Sequence, residues 1–142
     1  AADPVGDRVF TPRASIAVAT DLGYFAPQVE DAVSGAEIVL LESNHDPDML
    51  KNNPHYPSSL KTRILGRKGH LSNQSGADAA VRLAQSGTRH LLLGHLSGEN
   101  NTPDLAYQES SRALAGAGAQ VGGDVTLHVA SRFRASYLYT MK

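Results

Sequence analysis

Three short apolar runs in this 142-residue chain end in polar, ligand-forming chemistry. Ile16-Ala17-Val18-Ala19-Thr20 runs into Asp21. Ile38-Val39-Leu40-Leu41 runs into Glu42-Ser43-Asn44-His45-Asp46. Leu91-Leu92-Leu93-Gly94 runs into His95-Leu96-Ser97. A buried strand ordinarily stops at a turn residue, without a titratable cluster. Carboxylate oxygens and imidazole nitrogens are the ligand types that suit zinc, manganese or iron. A fourth segment, Gly69-His70-Leu71-Ser72, has the same Gly-His-Leu-Ser order as residues 94–97. Just ahead of it, Lys61, Arg63, Arg67 and Lys68 could attract phosphate. Each piece also has a plainer reading. Asp21 is an ordinary turn residue, and Asp46 caps a helix. His45 is solvated, and His70 is a loop histidine beside the helix cap Ser72. His95 is a core histidine satisfied by backbone, and the basic run is a solvated helix face. His90 and His128 lie inside strand-like runs and read as structural.

The elements that must position these residues follow from periodicity and punctuation. Residues 14–20, 37–42 and 89–94 read as buried strands. Pro27–Val33 reads as a helix stopped by Gly35, so strand, helix and strand suggest a parallel unit. Asp46-Pro47 reads as N-cap and first helical residue of a short helix. Ser58–Leu65 has Leu60, Ile64 and Leu65 at helical spacing. Residues 72–86 form the clearest helix, with Ala77, Ala80, Val81 and Ala84 on one stripe and Ser72 or Asn73 as cap. Thr102-Pro103-Asp104 opens a further helix to about Leu114. Val125–Val129 and Ala135–Tyr139 read as a final pair of strands, and residues 1–13 as an irregular lead-in. The order is that of an α/β domain, whose parallel strand ends commonly gather a site at one edge.

Composition narrows the function classes. The chain is 41% hydrophobic and 19% charged, as expected for one globular domain. A net charge of −1 argues against broad coating of nucleic acid, while leaving local basic patches open. The sequence has no cysteine, which excludes disulfides and thiolate ligands. No apolar run is long enough to span a membrane, and no export signal is evident, so a cytoplasmic location is expected. The chain opens on Ala1 without an initiator Met, and is expected to be a processed or cut piece.

Taken in order, Ala19-Thr20-Asp21-Leu22-Gly23, Leu41-Glu42-Ser43-Asn44-His45-Asp46, Lys68-Gly69-His70-Leu71-Ser72-Asn73 and Leu93-Gly94-His95-Leu96-Ser97-Gly98-Glu99-Asn100-Asn101 resemble the metallo-β-lactamase fold superfamily. The resemblance is to its phosphodiesterase and exonuclease-like branch, of the phosphoribosyl cyclic phosphodiesterase-like kind, and covers most of residues 14–105. It implies that Asp21 bridges two divalent metal ions, zinc first and manganese as the alternative, and that His95 ligates one of them. By similarity to the ribonuclease Z branch, Glu42 and His70 form a proton relay, with His70 protonating the leaving oxygen. Asn44 and His45 would stand behind the ligands, and Lys61 or Arg63 would steer the phosphate.

The superfamily signature His-x-His-x-Asp-His is absent from this sequence. Ala1-Ala2-Asp3-Pro4-Val5-Gly6 resembles the stretch that follows a later ligand histidine. Residues 1–142 therefore resemble the C-terminal half of an αββα sandwich, one sheet with flanking helices. The N-terminal half is expected on another chain or segment. The expected function is metal-dependent hydrolysis of a phosphodiester, in nucleic acid or a small cyclic phosphate, once that half is present. The alternative is a binding or assembly module that keeps half of the fold without the chemistry. Self-association is left open.

Overall fold

The computed structural model describes residues 5–10, 15–66 and 69–131. They form a mixed α/β arrangement with strands β1 (Val5–Phe10), β2 (Ser15–Thr20), β3 (Ile38–Glu42), β4 (His90–Gly94) and β5 (Thr126–Val129). The helices are α1 (Pro27–Val33), α2 (Pro47–Asn52), α3 (Ser58–Leu65), α4 (Asn73–Gln85) and α5 (Pro103–Gly116). The sheet order is β1-β2-β3-β4-β5. β1 is antiparallel to β2, and β2 through β5 are parallel.

Local sequence explains most element ends. Asp46 accepts from Met49 N at 3.0 Å with Pro47 at the first helical position. Ser72 accepts from Ser75 N at 3.1 Å, and Thr102 from Leu105 N at 3.2 Å. These side-chain oxygens satisfy N–H groups that a helix start leaves without partners.

Parallel register puts Ala17, Val39, Leu91 and Leu127 in one row, and Ala19, Leu41, Leu93 and Val129 in the next. These rows face α1, α4 and α5, which contribute Val29, Val33, Ala80, Leu83, Ala106 and Leu114 to the same core. The alternate row, Val18, Leu40, Leu92 and His128, points to the other face and is only half-buried.

Two expectations are corrected. The lead-in contains a strand, β1, paired along its length with β2. Gly6, Asp7 and Arg8 have weak strand preference, and the neighbouring β2 edge overrides it. Arg8 adds hydrogen bonds to Ser15 Oγ at 2.8 Å and Ser34 O at 2.7 Å. On α4 the buried stripe is Gly76, Ala79, Ala80 and Leu83, with Ala77 beside it, while Val81 and Ala84 are only partly covered. A Cβ on Gly76 would lie 2.7 Å from Glu42 O, so the missing side chain is what lets α4 approach the end of β3. The expected strand Ala135–Tyr139 lies outside the described residues, as do Arg67 and Lys68. Among the described residues, no helix is long and apolar enough to cross a membrane.

Candidate functional site

The site is built at the C-terminal ends of three adjacent parallel strands. Thr20, Glu42 and Gly94 end β2, β3 and β4, with Glu42 on the central strand. Asp21 and His95 come one residue later on either side. Both have left-handed backbone, with φ of 59° and 58°, and no other described non-glycine residue does. Asp and His tolerate this region better than most residues, and such strain tends to occur at functional sites. The turn carries each side chain out of its strand's alternation.

His70 arrives by a different route. Residues 43–46 run beside 71–73: Asn44 N donates to Leu71 O at 2.8 Å, and Asn73 N donates to His45 O at 2.8 Å. Gly69 lets the chain pass the end of α3, because a Cβ there would fall 2.1 Å from Ile64 O. Behind this junction, Asn101 Nδ2 donates to Ser43 O at 3.0 Å, and Asn73 Nδ2 donates to Asn101 Oδ1 at 2.8 Å. Ser43 Oγ donates to Asn73 Oδ1 at 2.7 Å. This buried network fixes the loop after β3 against the starts of α4 and α5.

One ligand atom from each of Asp21, Glu42, His70 and His95 lies within 4.8 Å of every other. Their side-chain exposures are 60%, 0%, 29% and 44%, so Glu42 forms the floor and Asp21 the rim. Glu42 Oε1 accepts from Asp21 N at 2.9 Å, His70 Nδ1 at 3.3 Å, and His95 Nδ1. Oε2 accepts from Leu71 N at 2.7 Å and Leu22 N at 3.3 Å. Five donors exceed the roughly four lone-pair sites of a carboxylate. Glu42 is thus crowded by donors and has no path to solvent. It acts through the two imidazoles, whose ring centroids are 5.2 Å apart.

The remaining donors fit a metal. His95 Nδ1 is held by Glu42, and Nε2 lies 3.8 Å from Asp21 Oδ1. Metal-binding histidines usually donate their other ring N–H to a carboxylate, which fixes the tautomer and the direction of the ring. His70 Nδ1 is 3.8 Å from Asp21 Oδ1 and nearer to Glu42. Asp21 and His95 by themselves are fewer than the three ligands that a catalytic zinc normally takes from protein.

The other expected residues fall behind or beside this cluster. Asn44 Nδ2 donates to His95 O at 2.8 Å, pinning the left-handed turn, and Asn44 Oδ1 lies 3.2 Å from His45 Nδ1. His45 is 1% exposed, and among the described residues no protein group hydrogen-bonds its Nε2. Burial pushes the His45 pKa down from its ordinary value, with a smaller effect from the neighbouring His70. The folded chain thus resists a proton that the unfolded chain accepts. Stability is expected to be present above the ordinary histidine value of 6.5 and to fall as pH drops below it. The limiting slope from one such group is about 1.4 kcal/mol per pH unit. Urea unfolding at pH 7.5 and 5.5 checks this: His45→Phe should flatten the difference, and an unchanged difference would clear His45 of the role.

The two basic candidates separate. Lys61 Nζ donates to Lys51 O at 2.7 Å and does not line the main cavity. Arg63 does line it. That cavity, of about 780 Å³, opens beside His70 and His95, with Tyr56, Leu60, Ile64, Leu96 and Asn100 on its wall. Sequence reading missed Tyr56, Leu96 and Asn100 as wall residues. Tyr56 lies between two short helices in a stretch rich in proline and asparagine, with no periodic signal to single it out.

No family model matches the chain. Exodeoxyribonuclease WalJ of Streptococcus pneumoniae, in two strains, is 40% identical over 114 residues, 80% of this chain and 42% of WalJ. Exodeoxyribonuclease YycJ of Bacillus anthracis is 35% identical over 128 residues, 90% of this chain and 48% of YycJ. The chain spans about half the length of the curated relatives it matches. The matched stretches are long enough to take in most of the residues that carry the strand ends and the cluster, so the chain is similar to about half of WalJ and of YycJ, which fits the half-length resemblance of its motifs.

Proposed function

We propose that this chain is the C-terminal half of a metal-dependent exodeoxyribonuclease, residues 1–142 forming one sheet and its helices in an αββα sandwich. The observation that carries the reading is the convergence of Asp21, His70 and His95 on the buried Glu42 at the parallel strand ends. The names of WalJ and YycJ support DNA as the substrate. The half-buried row Val18, Leu40 and Leu92, opposite the helices, supports a complementary half as the second layer.

The residues divide the work. Asp21 and His95 Nε2 are the ligands this half contributes to a centre of two divalent ions, zinc before manganese, and the other half contributes the rest. Metal in that centre supplies a water of lowered pKa and charge stabilisation for the phosphate. Glu42 is a positioning residue that holds both imidazoles by Nδ1. His70, with Nδ1 against Glu42, delivers a proton from Nε2 to the leaving oxygen. Asn44 and His45 hold the turn behind the ligands. Arg63 attracts the phosphate, and Lys61 is too occupied with the Lys51 carbonyl to share that role. A binding module without chemistry has no observation of its own in its favour.

The test is hydrolysis of end-labelled duplex and single-stranded DNA by the full-length protein. Nucleotide release from an end, lost with EDTA and restored by zinc or manganese, is the expected result. No metal-dependent cleavage of any phosphodiester would overturn the proposal.

A further inference from the structure

α3 is an amphipathic helix that buries no side chain completely. Its apolar pair Leu60 and Ile64, four residues apart, lines the 780 Å³ cavity with Leu96 from the loop after β4. The stripe that would normally face a core here faces an open space next to His70 and His95. The cavity is within the size range of small-molecule sites.

Tyr56 stands on the same wall. The neighbouring Glu99 is the largest cause that raises its pKa above the ordinary value. An aromatic side chain on a cavity wall is a contact for a flat ring. The guanidinium of Arg63 adds positive charge, with no hydrogen-bonded or ion-paired side-chain partner among the described residues.

The amide and hydroxyl oxygens on the wall are already committed within the fold. Asn44 bonds His95 O and His45 Nδ1. Asn100 Oδ1 accepts from Asn53 Nδ2 at 2.8 Å. Ser97 Oγ accepts from Glu99 N at 3.3 Å and Asn100 N at 3.1 Å. Reading a base edge needs donors and acceptors left over from the fold. Apolar surface and an aromatic ring accept any base.

We propose that this cavity is a base-tolerant nucleoside subsite, in which the terminal nucleobase of a DNA strand lies against Tyr56, Leu60, Ile64 and Leu96 while Arg63 meets a neighbouring phosphate. The proposal rests on the nuclease reading for its substrate, and on the cavity wall for its lack of base preference.

The full-length protein and its Tyr56→Ala and Tyr56→Phe variants test it on oligonucleotides whose terminal nucleotide carries a base or is abasic. For the wild type, removing the terminal base should raise KM roughly 10-fold or more with kcat little changed, the scale of one base–aromatic contact. The four bases should differ by no more than about 3-fold, less than one specific base-edge contact would give. Tyr56→Ala should raise KM on the natural end by the same factor and leave the abasic end unaffected. Tyr56→Phe keeps the ring and should restore the wild-type KM. Additive effects of ring and base removal, or a strong preference for one base, would overturn the proposal. Amide NMR shifts on adding deoxyadenosine 5′-monophosphate without metal give a second readout. Shifts should fall on residues 56–64 and 96, exceed those from deoxyribose 5-phosphate, and vanish in Tyr56→Ala. Nucleotide binding here without DNA cleavage would sink the nuclease reading and keep the subsite. Cleavage indifferent to Tyr56 and to the terminal base would do the reverse.

Discussion

His95→Ala is expected to lose bound metal and DNA hydrolysis together, whereas His70→Ala is expected to keep its metal and lose turnover by about 10²–10⁴-fold, the range for removing a general acid. The two histidines sit in identical Gly-His-Leu-Ser tetrads, so the tetrad alone gives them no different roles. Their surroundings differ. His95 directs Nε2 toward the exposed Asp21 carboxylate, at 3.8 Å, while Glu42 holds Nδ1. For His70, the nitrogen nearest to Asp21 is Nδ1, which is closer still to Glu42. A metal shared with Asp21 is therefore better served by His95. Metal content and rate measured on both variants of the full-length protein check the division. A His70→Ala variant without metal would make His70 a ligand. One with full metal and full rate would make it a loop histidine beside a helix start.

Glu42→Gln is expected to have the largest effect on stability. Glu42 is fully buried and receives three backbone N–H groups and two imidazoles. An amide of the same shape replaces one acceptor oxygen by an NH₂ group and points a donor at donors. A buried donor left unsatisfied typically costs about 1–3 kcal/mol. Metal affinity should also fall roughly 10–100-fold, because the imidazoles lose the group that orients them. Urea unfolding of the metal-free protein gives the first number, and a metal titration gives the second. His95→Ala is the useful comparison, since His95 is 44% exposed and its removal leaves the three backbone donors satisfied. An unchanged urea midpoint in Glu42→Gln would remove the anchoring role.

Much of the fold could be read from the sequence because its determinants are local. Asp46-Pro47, Ser72 and Thr102-Pro103 start helices by satisfying N–H groups a few residues away. The apolar runs that become β2, β3 and β4 are short and bounded by turn signals, the pattern of buried strands. The polar residues closing those runs marked Asp21, Glu42 and His95 as residues of interest. β1 could not be read in this way, because Gly6, Asp7 and Arg8 form a strand only where the β2 edge supplies backbone partners.

Only the tertiary structure decided how the marked residues relate. The sequence places Glu42 beside Asn44 and His45, yet the strand order puts it between Asp21 and His95, and the loop pairing brings in His70. Glu42 looks like one more polar residue at a strand end. Its complete burial and five donors make it the support of the site, and that depends on three segments separated by more than twenty residues from one another. Tyr56 and α3 show the same limit. An amphipathic stripe states that Leu60 and Ile64 share a face, but whether that face meets a core or an open cavity depends on where the other elements pack.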